Sequence, residues 1–445
     1  MSQTPISSSL RNFLIIWIGQ LVSSIGSSMS RFAIAIWAWE ITGKATTLTL
    51  VGFFSLLPSI VIAAISGAIV DRFNRKLLMM VGDTVAVLTT IIMMLLYLTN
   101  NLQIWHLYLT GAIVGTFNQF QSLAYSASVS VLVPKQNYTR ASSLEFLSSY
   151  GSGIVAPALA GYLYKIIGLL GIWLIDISTF AIAISSLLFV RIPKPPQTDK
   201  HENPTHIWQG LEFGIRYIFA RKSLLALLIV TLLFWFAHDL GDSLYSPMIL
   251  SRTGNNTVVL GTLAAAAGFG GVAGAIIIST WGGLRKKING VLCGIIGAGL
   301  SKIVFGLGQT PWVWIPAQFC SSFNFPLNGS SDNAIWFAKV APNIQGRVFA
   351  AHSLALQFVS ASAYLIAGLL ADNIFAPALA EGGSLVGIFG GIFGIGAGAG
   401  IALLYVICAV CMLLVGIIGF YIPSLRNLEK ILPDHDSEYT ESMRP

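Results

Sequence analysis

The sequence predicts an all-α membrane protein of twelve transmembrane helices arranged as two pseudo-symmetric six-helix halves. Three observations carry this expectation: a shortage of charge, apolar runs long enough to cross a bilayer, and an internal repeat. Of the 445 residues, 55% are hydrophobic and only 10% charged, whereas a soluble domain carries about 25% charged residues. Mean hydropathy is +0.76. A water-facing surface cannot be built from so little polar material, so the chain uses lipid as its solvent. The 44 glycines and 11 tryptophans fit that reading, because glycine lets membrane helices approach closely and tryptophan settles at the headgroups.

A membrane helix needs about 20 mostly apolar residues. Along the chain that ruler gives spans at 12–38, 47–70, 77–99, 104–132, 142–164, 169–190, 223–247, 257–280, 288–308, 312–338, 347–371 and 395–422. The first is too long for a signal h-region and lacks a small-residue cleavage site, so it reads as a retained span. The long polar connection is 191–222, opening with Arg191-Ile-Pro-Lys-Pro-Pro. Within it Ile207, Leu211, Ile215 and Ile218 recur at helical spacing, which predicts an amphipathic helix lying on the membrane surface. The expected organisation is an N-terminal half 1–190, a cytoplasmic linker 191–222, a C-terminal half 223–422 and a cytoplasmic tail 423–445.

Basic residues are retained on the cytoplasmic side. With the N-terminus inside, 20 of the 25 Lys and Arg fall on cytoplasmic segments; Lys44, Lys165 and Arg252 stay outside, and Arg31 and Lys302 lie within spans. Both termini are therefore expected in the cytoplasm of a cell whose plasma or inner membrane holds the chain. The net charge of +7 is scattered over short loops rather than gathered on one face, which argues against nucleic acid.

The repeat is legible in two segments. Val133-Pro-Lys-Gln-Asn-Tyr-Thr-Arg140 precedes the fifth span and Val340-Ala-Pro-Asn-Ile-Gln-Gly-Arg347 the eleventh, an offset of 207 residues. The same offset carries Gly67 onto Gly274 and Gly161 onto Gly368, and brings the Arg72, Arg75, Lys76 loop close to Arg285, Lys286 and Lys287. Parallel repeats of this kind are a transporter plan, with substrate held near the midplane at the interface of the halves.

Between the second and third spans the sequence reads Gly67-Ala-Ile-Val-Asp71-Arg72-Phe73-Asn74-Arg75-Lys76-Leu77. This resembles the GxxxDRxxRR loop of the major facilitator superfamily. Trp37-Ala-Trp-Glu40-Ile-Thr-Gly43, Pro157-Ala-Leu-Ala-Gly161, Ile175-Asp176, Arg191-Ile-Pro-Lys194 and Gly346-Arg347-Val348 make it similar, more narrowly, to the drug-efflux branch that includes macrolide efflux proteins and siderophore (enterobactin-type) exporters. The resemblance implies a twelve-helix transporter and gives Gly67, Asp71, Arg72, Arg75, Lys76 and Arg347 a gating role. Asp71 would approach the N-terminal end of the eleventh span near Gly346 and Arg347, and Arg72 and Arg75 would pair with acidic groups such as Asp83. The second-half loop has Ile278 where Asp71 stands, so gating is assigned mainly to the first half.

Ionisable groups inside lipid are expensive and mark a pathway or a pair. Gln20, Ser24, Ser27 and Arg31 share one face of the first span, which should look into a central cavity. His238 is Arg31 shifted by the repeat, and Asp239 and Asp242 lie beside it. The expectation is that Arg31 pairs with Asp239 or Asp242, and that these carboxylates either couple transport to protons or form a static ion pair near the outer membrane face. Glu145 and Asp332 are further coupling candidates, and Glu145 maps onto His352. Asn118, Gln119 and Gln121 in the fourth span and Asn324 and Asn328 in the tenth could offer neutral hydrogen bonds to substrate, and Phe234 an aromatic wall. Asp176 and Lys302 are expected in packing or snorkelling at the outer edge.

Cys408 and Cys411 form a CxxC inside an apolar run, which reads as helix packing rather than redox or zinc chemistry. The Gly394-x-Gly396-x-Gly398-x-Gly400 run opens a span without a strand or a Lys-Ser/Thr, so it is not a phosphate loop. No metal, cofactor or ATP site is expected. The expected function is export of a hydrophobic or amphiphilic, drug- or macrolide-like molecule by proton antiport with alternating access, from a monomer whose partners are the bilayer, the small molecule and protons. A siderophore or lysophospholipid is the alternative cargo, and a transporter-like sensor is the alternative of another class. An enzyme has only His238, Asp239 and Ser243 as a weak nucleophile set.

Overall fold

The structure, a computed structural model, describes residues 10–72, 75–133, 138–190 and 204–433. Among these residues there is no strand, and long helices account for the twelve passes. They are α1 (Leu10–Thr42), α2 (Ala45–Arg72), α3 (Arg75–Leu98), α4 (Ile104–Leu132) and α5 (Tyr138–Phe189), then, after the amphipathic α6 (Pro204–Phe219), α7 (Lys222–Ser243) with its short continuation α8 (Tyr245–Arg252), α9 (Thr257–Trp281), α10 (Lys287–Leu307), α11 (Pro311–Lys339) and α12 (Pro342–Leu370). A π-helical turn at Ala371–Phe375 leads through α13 (Ala376–Ala378) to α14 (Val386–Phe393), and the last pass is α15 (Ala397–Tyr421), followed by α16 (Pro423–Arg426) and α17 (Leu428–Ile431). At 21 residues, α10 rises about 31 Å, enough for a hydrocarbon core of about 30 Å.

Two passes are continuous in α5, which turns at Gly168 with φ 62° and ψ −171°. That backbone region is open to glycine, so the fifth and sixth spans meet without a separate loop. The linker helix starts three residues before the apolar pattern suggests, at Pro204, where proline suits a first helical turn. The glycine run before the last span supplies left-handed turns at Gly394 and Gly396, and Gly400 lies against the backbone of Phe375. The helix α14 ahead of it was not foreseen: glycines occupy three of its eight positions, which hides it from a propensity reading.

The chain divides into two compact units, one of Met1–Ala38 with Phe54–Asn203 and one of Trp39–Phe53 with Pro204–Pro445. In the first, α3 shows how sequence sets orientation. Val81, Leu88, Ile92 and Leu95 form an exposed apolar stripe, the lipid face of an amphipathic helix, while Asp83, Val87 and Thr90 face inward. Gly19 and Gly26 on α1 abut the second arm of α5 at Ser186 and Thr179, and Gly115 on α4 abuts the carbonyl of Ser55 on α2. Phe13, Ile16, Met79, Ala124 and Leu187 close one end of this unit, where Trp17 donates to the carbonyl of Leu144 at 2.9 Å.

In the second unit the core gathers Leu224, Leu227, Phe234, Val291, Ile295, Trp336 and Met412. The first turn of α2 belongs here. Its backbone N–H groups at Ala45 and Thr46 donate to the carboxylate of Asp372 at 3.0 and 2.7 Å, and Gly368 leaves room for Thr46 and Thr49. The π turn carries Asp372 to this position, so a side chain from the far end of the sequence caps the helix. The amphipathic α6 lies along α12, with Gly214 against the carbonyl of Arg347 and the Arg347 guanidinium 5.6 Å over the Phe213 ring.

Small residues set these helix distances, and one pair tests it. Gly274 on α9 faces the backbone of Phe323 on α11, whereas Gly329 faces open space. Gly274→Ala should cost about 1–3 kcal/mol through overpacking that a backbone neighbour cannot relieve. Gly329→Ala should be neutral or slightly stabilising through helix propensity. Thermal unfolding midpoints of the purified protein in detergent separate the two.

Candidate functional site

A cavity of about 430 Å³ lies within the first unit. Gln20, Ser24, Ser27 and Arg31, the polar face of α1, all line it, joined by Asp83 from α3, Asn118, Gln121 and Ser122 from α4, and Asp176 from the second arm of α5. Its apolar wall includes Leu21, Val87, Val114 and Phe180. Helical periodicity is why α1 can fill this role: residues three and four apart stack on one side, while Ile18 and Ile41 of the same helix are exposed elsewhere on its surface.

Two buried carboxylates organise the cavity, and sequence reading placed neither there. Asp83 accepts from the Gln20 amide at 2.9 Å and from the Gln121 amide at 2.5 Å, and Gln121 also reaches the Gln20 carbonyl oxygen at 3.2 Å. One carboxylate thereby joins α1, α3 and α4. Its neighbour Gly82 gives the Gln121 side chain room to approach. Asp176 accepts from the hydroxyls of Ser27 at 3.1 Å, Ser30 at 2.9 Å and Thr90 at 3.1 Å, tying α1 and α3 to the second arm of α5. Both residues are almost fully buried, at 5% and 6% exposure, and in lipid each needs such partners. The signal in the sequence is Gln20 and Gln121 together with Ser27, Ser30 and Thr90, polar groups inside apolar spans.

The second unit holds a separate polar network. His238 Nδ1 lies 3.0 Å from Asp239 Oδ1, and the other Asp239 oxygen accepts from Ser360 on α12. The His238 ring packs against Phe325 with centroids 4.8 Å apart and against Trp235 at 5.2 Å. Lys302 Nζ is 3.7 Å from Asp242 and 3.3 Å from the Tyr405 hydroxyl. Lower in this unit Asp332 is buried, with Thr231 and Trp336 beside it, and the His352 ring lies 4.7 Å from that of Trp336.

Several expectations are revised by these contacts. Within its own unit Arg31 donates to Ser28 at 2.7 Å, while Asp239 and Asp242 meet Ser360 and Lys302 on neighbouring helices of theirs. Lys302 does not snorkel. It is 3% exposed, held inside by a carboxylate and a phenol. Asp83 accepts from two amides, and its expected partners Arg72 and Arg75 have side chains outside the described residues. Phe234 is a core residue at 1% exposure. Asn324 and Asn328 pack against Gly297 and Gly294 of α10, and Gln119 is not among the residues lining the cavity. Ser243 donates to the Leu240 carbonyl at 2.8 Å. Lys76 donates to the Val190 carbonyl at 2.8 Å. The side chains of Gly67, Asp71, Arg72, Arg75 and Glu145 lie outside the described residues. The cysteines at 293, 320, 408 and 411 are free.

The ion pair in the second unit is unequal, because the Lys302 side chain is 4% exposed and that of Asp242 45%. Removing the buried partner's counter-charge should therefore hurt more than removing the buried charge itself. Asp242→Asn is expected to cost more than Lys302→Met, which frees Asp242 to turn to water and removes the partner of the buried Tyr405 hydroxyl, a loss of about 1–3 kcal/mol. Thermal unfolding of the two variants and of the double variant measures the asymmetry.

Comparison with known proteins agrees with the twelve-pass fold. The Major Facilitator Superfamily profile matches residues 16–364. Macrolide efflux protein A of Streptococcus pyogenes is 26% identical over 364 residues, covering 81% of this chain and 90% of the relative. Multidrug efflux pump Tap of Mycolicibacterium fortuitum is 20% identical over 425 residues, covering 94% and 97%. Among solved structures, a bacterial homologue of the human lysosomal transporter Spinster superposes with a TM-score of 0.70 at 15% identity, over 96% of this chain and 99% of the other, which shows a shared fold. This chain is a multi-pass membrane transporter and belongs to the Major Facilitator Superfamily.

Proposed function

We propose that the protein exports a hydrophobic or amphiphilic small molecule from the cell by proton antiport with alternating access. The observation that carries this reading is the cavity of the first unit, into which the whole polar face of α1 projects. Its size falls in the range of small-molecule sites, about 300–1,000 Å³. Its lining pairs a few fixed hydrogen-bonding groups with apolar walls, the chemistry that orients an amphiphile without demanding one structure. The relatives named for macrolide and multidrug efflux support the direction of transport and the substrate class. Both termini are placed in the cytoplasm on the distribution of Lys and Arg, and the working unit is a monomer in the cell membrane.

In this cycle substrate enters from the cytoplasmic side and binds the cavity. A proton taken up from outside by a carboxylate within the spans, with Asp239, Asp242, Glu145 and Asp332 as the candidates, favours release. The halves then rock while the loop from Gly67 to Lys76 breaks and remakes its contacts near Arg347. A ligand can shift such an equilibrium only through its different affinity for the two states, so the coupling group must change partners between them. Asp239 is suited to this, because His238 and Ser360 give it one partner that can carry a proton and one that can reorient.

Purified protein in proteoliposomes should move a lipophilic dye or a macrolide against its gradient when a proton gradient of the opposite direction is imposed. Neutralising Asp239, Asp242, Glu145 and Asp332 one at a time should abolish gradient-driven export in at least one variant while exchange at equal proton concentration persists. Gradient-driven export in all four would remove these carboxylates from the mechanism, and no movement of any probe by the parent protein would remove the export reading.

A further inference from the structure

The charged side chains lining the cavity of the first unit are Arg31, Asp83 and Asp176. They are not equivalent. Arg31 interacts electrostatically with Asp176, which also has three hydroxyl donors. Asp83 lies toward the other end of α1: its partner Gln20 is eleven residues from Arg31, a rise of about 16 Å. Its two hydrogen-bond donors are neutral amides, and no Lys, Arg or His among the described residues lies within ion-pair distance of it. Among the described residues Asp83 is thus a buried carboxylate with two amide donors and no cationic partner, the condition under which a mobile cation gains most.

The surroundings fit an amphiphile bearing that cation. Leu21, Val87 and Val114 offer an apolar wall, and Asn118 and Ser122 stand exposed in the same cavity. The Gln121 amide can give way without being orphaned, because it already bonds the Gln20 side chain as well as Asp83.

We propose that Asp83 is the site in this cavity for the positive charge of the substrate, a lipophilic alkylammonium that displaces the Gln121 amide from one carboxylate oxygen. The inference rests on the cavity being the substrate site, and it names the chemical class that site selects. Gln20 is then the fixed partner that keeps Asp83 aimed into the cavity, and Gln121 the neutral stand-in for the ligand when the site is empty.

The test is equilibrium binding, so its outcome is separate from whether export is observed. A dansyl-labelled alkylammonium and the alcohol of the same chain length are titrated into the full-length protein in detergent and followed by fluorescence. In Asp83→Asn the ammonium probe should bind at least roughly tenfold more weakly, with the alcohol unchanged. Gln121→Ala keeps the carboxylate and removes its competitor, so the ammonium probe should bind as tightly as in the parent or more tightly. A residue that only holds helices together would weaken both probes in both variants. Parallel loss of the two probes in Asp83→Asn, unchanged ammonium binding in that variant, or weakening by Gln121→Ala as large as that by Asp83→Asn would each overturn the assignment.

Discussion

Every polar group that enters the bilayer must find its hydrogen bonds inside the protein, because lipid supplies none. At Asp83 and Asp176 that constraint is met by carboxylates that collect donors from several helices at once. Asp176 takes three hydroxyls and Asp83 two amides. Since apolar side chains gain nothing by leaving lipid for each other, such contacts and close backbone packing are what holds membrane helices in register. The glycines serve the second role, bringing α4 onto α2 and α9 onto α11. The cavity exists where the two devices meet: α1 is held near its neighbours by glycine and serine, yet its longer polar side chains keep a space open among them.

The two units solve the same problem with different chemistry. The first gives both of its acids neutral hydrogen-bond donors and sets Arg31 near Asp176 alone. The second sets a lysine beside Asp242 and a histidine beside Asp239. Repeat symmetry relates Arg31 to His238 in sequence, but each has been recruited by a partner from its own unit. A pseudo-symmetric scaffold therefore does not imply symmetric electrostatics.

Much of the architecture is legible in the sequence because the bilayer imposes a length and a hydropathy that no local detail can disguise. The twelve passes, the linker helix and the inward face of α1 follow from counting. What was not legible depends on pairing across helices. Asp83 reads as a loop partner because it stands only eight residues after Arg75, and nothing in a single helix reveals that Gln20 and Gln121 converge on it. Lys302 reads as snorkelling because it is close to a helix end; that α7 and α15 would bring Asp242 and Tyr405 to it requires the tertiary fold. The hydrogen-bonding side chains were visible, but which carboxylate each would serve was not.

The cap that Asp372 places on α2 has a consequence for how the chain is made. Ala45 and Asp372 are 327 residues apart in sequence. During synthesis the first turn of α2 emerges early, yet the carboxylate that satisfies its backbone N–H groups appears only after the eleventh pass. Until then that turn must rely on water at the membrane surface. The second unit cannot finish assembling around residues 39–53 before α12 is inserted, so an early piece of the chain waits for a late one, and truncation after the tenth pass leaves it without its cap.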